Sequence, residues 1–263
     1  MTTAAEGKLF TFYKDPYRRI PVFLSGNAPR CVVWTGGQGD GFFSLGYMQQ
    51  LIDELGHVEW SVAQWTPASS FVGYGGQCHH KDAEDLDELL GELVERYGMK
   101  EFCLFATSTG VQIVLEALER GRYREYVSRV VVQGIVANVN SELFAATTSQ
   151  ARLAKAKALV SNGVKEDISA MEGVYDIPIT PARYATGGYP SIQEALWVPA
   201  FTNDVKTLRS VLSVINVPLL VMISMHSEFT VSEKEQEIFE SRVKGNSATT
   251  ETFISYFNDT SDE

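Results

Sequence analysis

Short apolar runs alternate with amphipathic stretches along most of the chain. Apolar, β-branched or aromatic runs such as residues 31–34 and 102–106 predict buried strands. Stretches with apolar residues at every third or fourth position, such as residues 82–97 and 231–243, predict helices that bury one face. Strands that alternate with helices indicate a mostly parallel sheet covered on both faces. We therefore predict an α/β fold with a central sheet of about eight strands.

The chain opens with two extended runs on either side of a charged, turn-prone segment, which predicts a β-hairpin over residues 9–13 and 21–24. A helix is predicted over residues 44–55, with Ser44 as its N-cap because a serine hydroxyl accepts from free backbone N–H groups. The carboxylates of the acidic helix over residues 82–97 are expected to face solvent. The remaining predicted strands cover residues 58–65, 129–136, 218–224 and 249–257.

The strand pattern stops between about residues 141 and 210. Helical segments such as residues 142–160 alternate there with loops rich in proline and glycine. An insertion of this length is typical of a lid, which controls substrate access and excludes water. We predict a single domain over residues 1–263, with a helical lid insertion at about 141–210.

Composition and charge limit the classes of molecule that the protein is expected to bind and the cellular compartment in which it is expected to lie. The chain has 33 acidic and 22 basic residues, for a net charge of −11, which argues against nucleic acid or an anionic membrane as partner. No apolar run approaches the roughly 18 residues of a membrane span, and the first residues lack the apolar core of a secretory signal. Three cysteines do not indicate a disulfide framework, and Cys31 and Cys103 fall in predicted buried strands. These observations favour a soluble, cytoplasmic protein.

Cys78, His79 and His80 are three consecutive residues of types that bind metals. Adjacent side chains cannot easily converge on one ion, and no second cluster completes a zinc site. We expect these residues to lie in a polar surface loop near the mouth of a cleft, and we predict no metal.

Ser108 lies where a buried strand passes into a helix, within Thr107-Ser108-Thr109-Gly110. A serine at such a turn is typical of a nucleophile elbow, in which the tight turn lifts the hydroxyl clear of the sheet. The first glycine of the usual Gly-x-Ser-x-Gly pattern is Ala106 here, which is still a small residue. The alternative is a crossover turn whose serine only caps the helix.

A glycine-rich loop, Gly37-Gln-Gly39-Asp-Gly41, connects the strand over residues 31–34 to the next helix. It is not a P-loop, because no Lys-Ser/Thr follows the last glycine. A dinucleotide-binding turn is disfavoured, because the third glycine comes too early and Glu59 falls inside the next predicted strand. The third interpretation is an oxyanion loop, whose backbone N–H groups point at a developing negative charge. Both this loop and the elbow follow predicted parallel strands, so we expect them at the same edge of the sheet.

These features resemble the α/β-hydrolase superfamily. More narrowly, they resemble a branch of proteins of unknown function in fungi, plants and protists that also includes fungal siderophore esterases. The residues that carry the resemblance are 36–41, 107–110, Arg183, Tyr184 and 257–263. The resemblance implies that Ser108 is a nucleophile and that the N–H groups of Thr109 and of Gly37 or Gln38 bind the oxyanion. It also implies hydrolysis of an ester or amide without a cofactor.

The resemblance leaves the catalytic base and acid uncertain. A serine hydrolase of this fold has an Asp or Glu after the serine and then a His after the last strand. The four histidines all precede the last predicted strand: His57, His79, His80 and His226. Ser227 stands at the usual position of the aspartate, with Glu228 adjacent, and Asn138 follows the sixth strand.

Three explanations are open. The base lies beyond Glu263, or His226 is an unconventional base with Glu228 as the acid, or the protein has lost hydrolysis and kept a pocket for binding. The leading hypothesis is a serine hydrolase that acts on a small or medium ester or amide. The alternative is a catalytically inactive binding protein for a small molecule. The sequence does not indicate the oligomeric state.

Overall fold

Eight strands of the described chain form one sheet, in the order β1-β2-β4-β3-β5-β6-β7-β8. The structure is a computed structural model. It describes residues 5–15, 18–37, 39–73, 75–76, 79–133, 147–172, 178–187, 209, 212–224, 233–249 and 251–257. The strands are β1 Lys8–Asp15, β2 Arg18–Ser25, β3 Arg30–Thr35, β4 Trp60–Trp65, β5 Glu101–Thr107, β6 Val127–Gln133, β7 Leu219–Ser224 and β8 Thr252–Phe257. The pairs β1–β2 and β2–β4 are antiparallel, and the other neighbours are parallel.

Helices fill the connections between the parallel strands. The α-helices among the described residues are α1 Met48–His57, α2 His79–Tyr97, α3 Gly110–Arg120, α4 Thr147–Ser161, α5 Pro181–Gly187 and α6 Glu233–Asn246. Short 3-10 helices cover Phe71–Gly73, Arg124–Tyr126 and Ile168–Met171. Parallel strands need such crossovers because the chain must return to the other end of the sheet before the next strand begins.

The central strands are buried on both faces, which explains their continuous apolar pattern. Val33 and Leu104 pack on the side covered by α2 and α3. Trp34 and Phe105, one residue further along, pack with Met48 of α1 on the opposite side. Alternate side chains of a strand point to opposite faces, so one apolar run supplies two cores.

Three central strands end at the same edge of the sheet. Thr35 of β3 pairs with Ala106 of β5, and Thr107 pairs with Gln133 of β6. The residues that follow β3 and β5 therefore leave the sheet side by side, as expected for a parallel sheet.

Two predicted boundaries are wrong: the start of α1 and the start of β4. The helix begins at Met48, and the Ser44 hydroxyl accepts from the Gly41 N–H at 2.6 Å, so Ser44 is part of the preceding turn and not the N-cap. β4 begins at Trp60, and Glu59 lies in the turn before it with a φ of +60°.

Helix α2 departs from the sequence prediction in two ways. It begins at His79, so His79 and His80 belong to a helix and not to a surface loop. Three of its carboxylates are buried, which overturns the prediction that they face solvent: Asp82, Asp85 and Asp87. Asp87 accepts from Arg122 Nε at 2.9 Å and from the Tyr123 N–H at 3.0 Å, while Asp82 accepts from the Ser69 N–H at 3.2 Å. Asp82 and Asp87 therefore hold neighbouring segments against α2.

The described part of the insertion contains α4 and α5 with a small core of their own. Tyr184 packs there with Ala156 and Met171, and the adjacent Arg183 is also buried. The Thr180 N–H donates to the Gly75 carbonyl at 2.7 Å, which joins the insertion to the loop before α2. Whether residues 141–210 act as a lid stays a prediction.

Candidate functional site

Ser108 occupies a strained turn between β5 and α3. Its φ is +50°, a left-handed conformation that costs a non-glycine residue roughly 1–2 kcal/mol. Its N–H donates to the Gln133 carbonyl at 3.0 Å, and its own carbonyl accepts from the Val111 N–H at 3.1 Å. The backbone is therefore held on both sides, while the side chain remains partly exposed. This is the geometry expected of a nucleophile elbow.

Small residues on either side of Ser108 allow the strand and helix to approach. A Cβ at Gly110 would lie 2.2 Å from the Thr35 carbonyl oxygen and 2.6 Å from the Gly36 carbonyl oxygen. Ala106, which replaces the first glycine of the usual pattern, is fully buried in β5. Glycine is therefore required at position 110, two residues after the serine, whereas alanine is accommodated at position 106, two residues before it.

The glycine loop after β3 packs directly against the serine. A Cβ at Gly37 would lie 2.8 Å from Ser108 Cβ and 3.2 Å from Ser108 Oγ. Any larger residue at position 37 would displace the serine side chain. The structure thus brings together the two loops that the sequence predicted to share an edge.

Asp40 accepts a hydrogen bond from the Gly37 N–H, the group that the resemblance implies would bind an oxyanion. Its Oδ2 accepts from the Gly37 N–H at 2.6 Å and from Thr107 Oγ1 at 3.2 Å. The Gly37 amide is therefore already engaged, and its predicted role as an oxyanion donor does not fit this arrangement. Asp40 has no role in the sequence prediction, although its place in the glycine motif is a usable signal.

Thr109 is the other predicted oxyanion donor, and it directly precedes α3. It is buried and helical in conformation, and its side chain makes no capping bond. The start of a helix carries a partial positive charge that favours an anion. Gln38, the alternative to Gly37, lies outside the described residues.

A buried amide connects the start of α1 to the elbow. The Tyr47 hydroxyl, just before α1, bonds to Gln133 Oε1, and the Gln133 carbonyl accepts from the Ser108 N–H. Gln133 is the last residue of β6 and is buried. Gln133 also has no role in the sequence prediction, because an isolated glutamine at a strand end carries no recognisable motif.

Two histidines with described side chains lie away from the serine. His57 ends α1, at the edge of the sheet where the parallel strands begin. His80 Nδ1 lies 2.5 Å from Glu116 Oε1. Glu116 follows Ser108 by eight residues, which is about 12 Å along the helix at ~1.5 Å per residue.

The remaining predicted acid and base residues lie outside the part of the chain that the structure describes. His226 and Glu228 lie outside the described residues, as do Ser227 and Asn138. The side chain of His79 is likewise not described.

Metal ligands and reactive thiols do not gather at this edge in the described part of the chain. No group of three His, Cys, Asp or Glu residues there is placed to hold a metal ion. Burial raises the pKa of Cys103 to about 12 and also raises the pKa of Cys31, so both thiols stay protonated at neutral pH.

None of the described helices combines the length and apolar character needed to cross a membrane.

Comparisons with known proteins agree with the fold and with the resemblance stated above. The family model described as "Protein of unknown function (DUF1749)" matches residues 1–252. A solved structure described as an α/β-hydrolase fold protein of unknown function is 41% identical, covers 100% of this chain and 90% of its own, and superposes with a TM-score of 0.85. The siderophore hydrolase EstB from Aspergillus fumigatus superposes with a TM-score of 0.63 at 16% identity, over 95% of this chain and 87% of its own. That second likeness concerns the fold alone.

One curated relative has a named activity. The fusarinine C esterase sidJ of Aspergillus fumigatus is 27% identical over an alignment of 127 residues, with 41% of this chain and 36% of the esterase covered. The chain spans less than two fifths of the length of the curated relatives it matches. The predicted α/β-hydrolase fold and the predicted relation to siderophore esterases are confirmed.

Proposed function

Because the chain belongs to the DUF1749 family of proteins of unknown function and has the α/β-hydrolase fold, we propose that it is a serine hydrolase. Its substrate is a small or medium ester or amide. The observation that carries this proposal is the packing of Gly37 against the side chain of Ser108, whose φ is +50°. Strained backbone at a non-glycine residue clusters at active sites, where the surrounding structure maintains it. The esterase among the relatives supports the reaction class.

The proposed reaction has two steps. Ser108 Oγ attacks the substrate carbonyl carbon as a base removes the hydroxyl proton, and the carbonyl oxygen becomes an oxyanion bound by the Thr109 and Gln38 N–H groups. Collapse expels the alcohol or amine, which takes that proton from the protonated base, and leaves an acyl-serine. Water, activated by the same base, then releases the acid and restores the Ser108 hydroxyl.

His226 is the proposed base and Glu228 the proposed acid that orients it. Both follow Ser224, the last residue of β7. β7 is parallel to β6, so its final residue lies at the same edge of the sheet as Ser108. A base that follows this strand in the chain is consistent with the fold, since catalytic residues in such sheets follow the strand ends.

A binding protein without catalysis is the second candidate function. It is favoured by the positions of His57 and His80, neither of which supplies a base to Ser108. Loss of the base removes most of the catalysis in a serine hydrolase, and the residual site still binds substrate.

Hydrolysis of p-nitrophenyl acetate, butyrate and octanoate tests the two candidates. Ser108→Ala and His226→Ala are each expected to lower kcat/KM at least ~1,000-fold, as loss of a triad member does. His57→Ala is the matched control and should stay within about twofold of the parent, because His57 lies at the other edge of the sheet.

The outcomes separate the parts of the proposal. Unchanged turnover in Ser108→Ala would refute the nucleophile. Turnover lost in Ser108→Ala but kept in His226→Ala would assign the base to another residue. No turnover by the parent, together with saturable binding of a substrate analogue, would favour the binding protein.

A further inference from the structure

Asp40 closes a four-residue turn at the start of the glycine loop. Its carboxylate accepts from the Gly37 N–H at 2.6 Å, and its own N–H donates to the Gly37 carbonyl at 3.3 Å. These reciprocal bonds fix the first and last residues of the turn to each other. The residues between them are Gln38 and Gly39, and a Cβ at Gly39 would meet open space. The turn is therefore open to solvent at Gly39.

The same carboxylate ties the turn to the elbow. Thr107 Oγ1 donates to Asp40 Oδ2 at 3.2 Å, and Thr107 is the buried last residue of β5, directly before Ser108. Further along the loop, the Phe43 N–H donates to the buried Gln64 Oε1 at 2.8 Å. The loop is thus anchored to β5 at one end and to β4 at the other.

A carboxylate beside an oxyanion site would normally oppose catalysis, because like charges repel at short range. Two donors converge on the single oxygen Oδ2, and the acceptor they require is an oxygen atom rather than a negative charge. The role of Asp40 is therefore geometric. An asparagine, with one amide oxygen, keeps that acceptor and removes the charge.

We propose that Asp40 is a positioning residue that sets the oxyanion site. By accepting from the Gly37 N–H and from Thr107 Oγ1, it holds the glycine loop against Ser108 and so fixes where the oxyanion formed at Ser108 lies relative to the Thr109 amide. This inference rests on the proposed hydrolase function.

The rate constant for labelling of Ser108 by a fluorophosphonate probe tests this inference. Asp40→Ala is expected to slow labelling ~10- to 100-fold, since small displacements of a catalytic group have effects of this size. Asp40→Asn should stay within about threefold of the parent because it retains the acceptor. Thr107→Val, which removes one anchor, should slow labelling by an intermediate ~3- to 10-fold.

A matched control and a backbone variant complete the set. Asp53→Ala removes an exposed carboxylate that accepts from Gln49 Nε2 on α1, and should label at the parental rate. Gln38→Pro deletes the proposed donor at a turn position where proline is common, and should slow labelling roughly 100-fold. All rates are corrected for the folded fraction, measured by circular dichroism at the assay temperature.

A merely structural role is distinguished by steady-state kinetics with p-nitrophenyl butyrate. A positioning role lowers kcat in Asp40→Ala with little change in KM, and asparagine rescues it. Equal labelling in the parent and Asp40→Ala would overturn the inference and leave the hydrolase function intact. Asparagine as slow as alanine, or a loss that only follows the folded fraction, would also overturn it. A parent that does not label at all would instead refute the proposed function.

Discussion

The two edges of the central sheet each carry a non-glycine residue in the left-handed conformation. Ser108 has a φ of +50° at the edge where β3 and β5 end, and Glu59 has a φ of +60° at the edge where β4 begins. Glu59 is exposed, and Arg30 Nη2 donates to the carbonyl of the adjacent Val58 at 2.6 Å. Ser108 differs because a second loop packs on it through Gly37. Backbone strain alone therefore does not distinguish the two residues, whereas the packing of the Gly37 loop against Ser108 does.

The largest expected effect comes from the close approach beside Ser108. Gly110→Ala places a methyl group 2.2 Å from the Thr35 carbonyl oxygen, which the backbone cannot relieve without separating α3 from β3. We expect a loss of about 3 kcal/mol in the free energy of unfolding, measured by urea titration. Gly56→Ala in α1 is the control, since a Cβ there meets no atom within 4 Å. It should stabilise the fold by ~0.5–1 kcal/mol, and similar losses in both variants would contradict the packing.

The strain itself is tested by replacing each left-handed residue with glycine and with alanine. At both Ser108 and Glu59, glycine should be more stable than alanine by about 1 kcal/mol, because only glycine tolerates positive φ without cost. Urea titration measures the stability, and hydrolysis of p-nitrophenyl butyrate measures the activity. Activity should disappear in both Ser108 variants and persist in both Glu59 variants. Loss of activity on changing Glu59 would remove the distinction between the two edges.

The smallest expected effect concerns the Glu101–Arg129 ion pair, which lies at the edge of the sheet where the parallel strands begin. The Ser128 hydroxyl donates to Glu101 Oε1 at 2.6 Å, and Arg129 Nη1 lies 2.5 Å from the same oxygen. Both contacts lower the pKa of the Glu101 carboxyl, and the bond from the Ser128 hydroxyl has the larger effect. Glu101→Gln should cost only about 0.5 kcal/mol, because the pair is partly exposed.

The pH dependence of that effect has a definite sign. A carboxyl whose pKa is lowered by folding stabilises the protein above its unfolded pKa, and this contribution falls as pH drops through the folded value. The difference between parent and Glu101→Gln, measured by urea titration, should therefore be constant near neutrality and shrink below about pH 4. A difference that grows on acidification would contradict this account, as would a change in the labelling rate of Ser108.

The local parts of the site were predictable because short-range patterns encode them. The elbow around Ser108 and the glycine loop at Gly37 each combine a buried strand, a turn and a helix within a few residues. The parallel strand order then places both at one edge.

Features that depend on distant partners were not predictable. Asp40 was assigned no role because Thr107, its second partner, is far away in the chain. Asp82 and Asp85 were expected in solvent, because helical periodicity does not report which carboxylates neighbouring segments cover. Glu59 was placed in a strand because a turn with positive φ at a non-glycine residue leaves no pattern in composition.

The most direct test of Ser108 as the nucleophile is fluorophosphonate labelling of the full chain, followed by peptide mass spectrometry. We expect rapid addition of one phosphonyl group on the peptide that contains Ser108, with no addition in Ser108→Ala. An activated serine is required for this reaction, since an ordinary hydroxyl is a weak nucleophile at neutral pH. Equal labelling in Ser108→Ala, or a folded parent that remains unmodified, would contradict the assignment of Ser108 as a catalytic nucleophile.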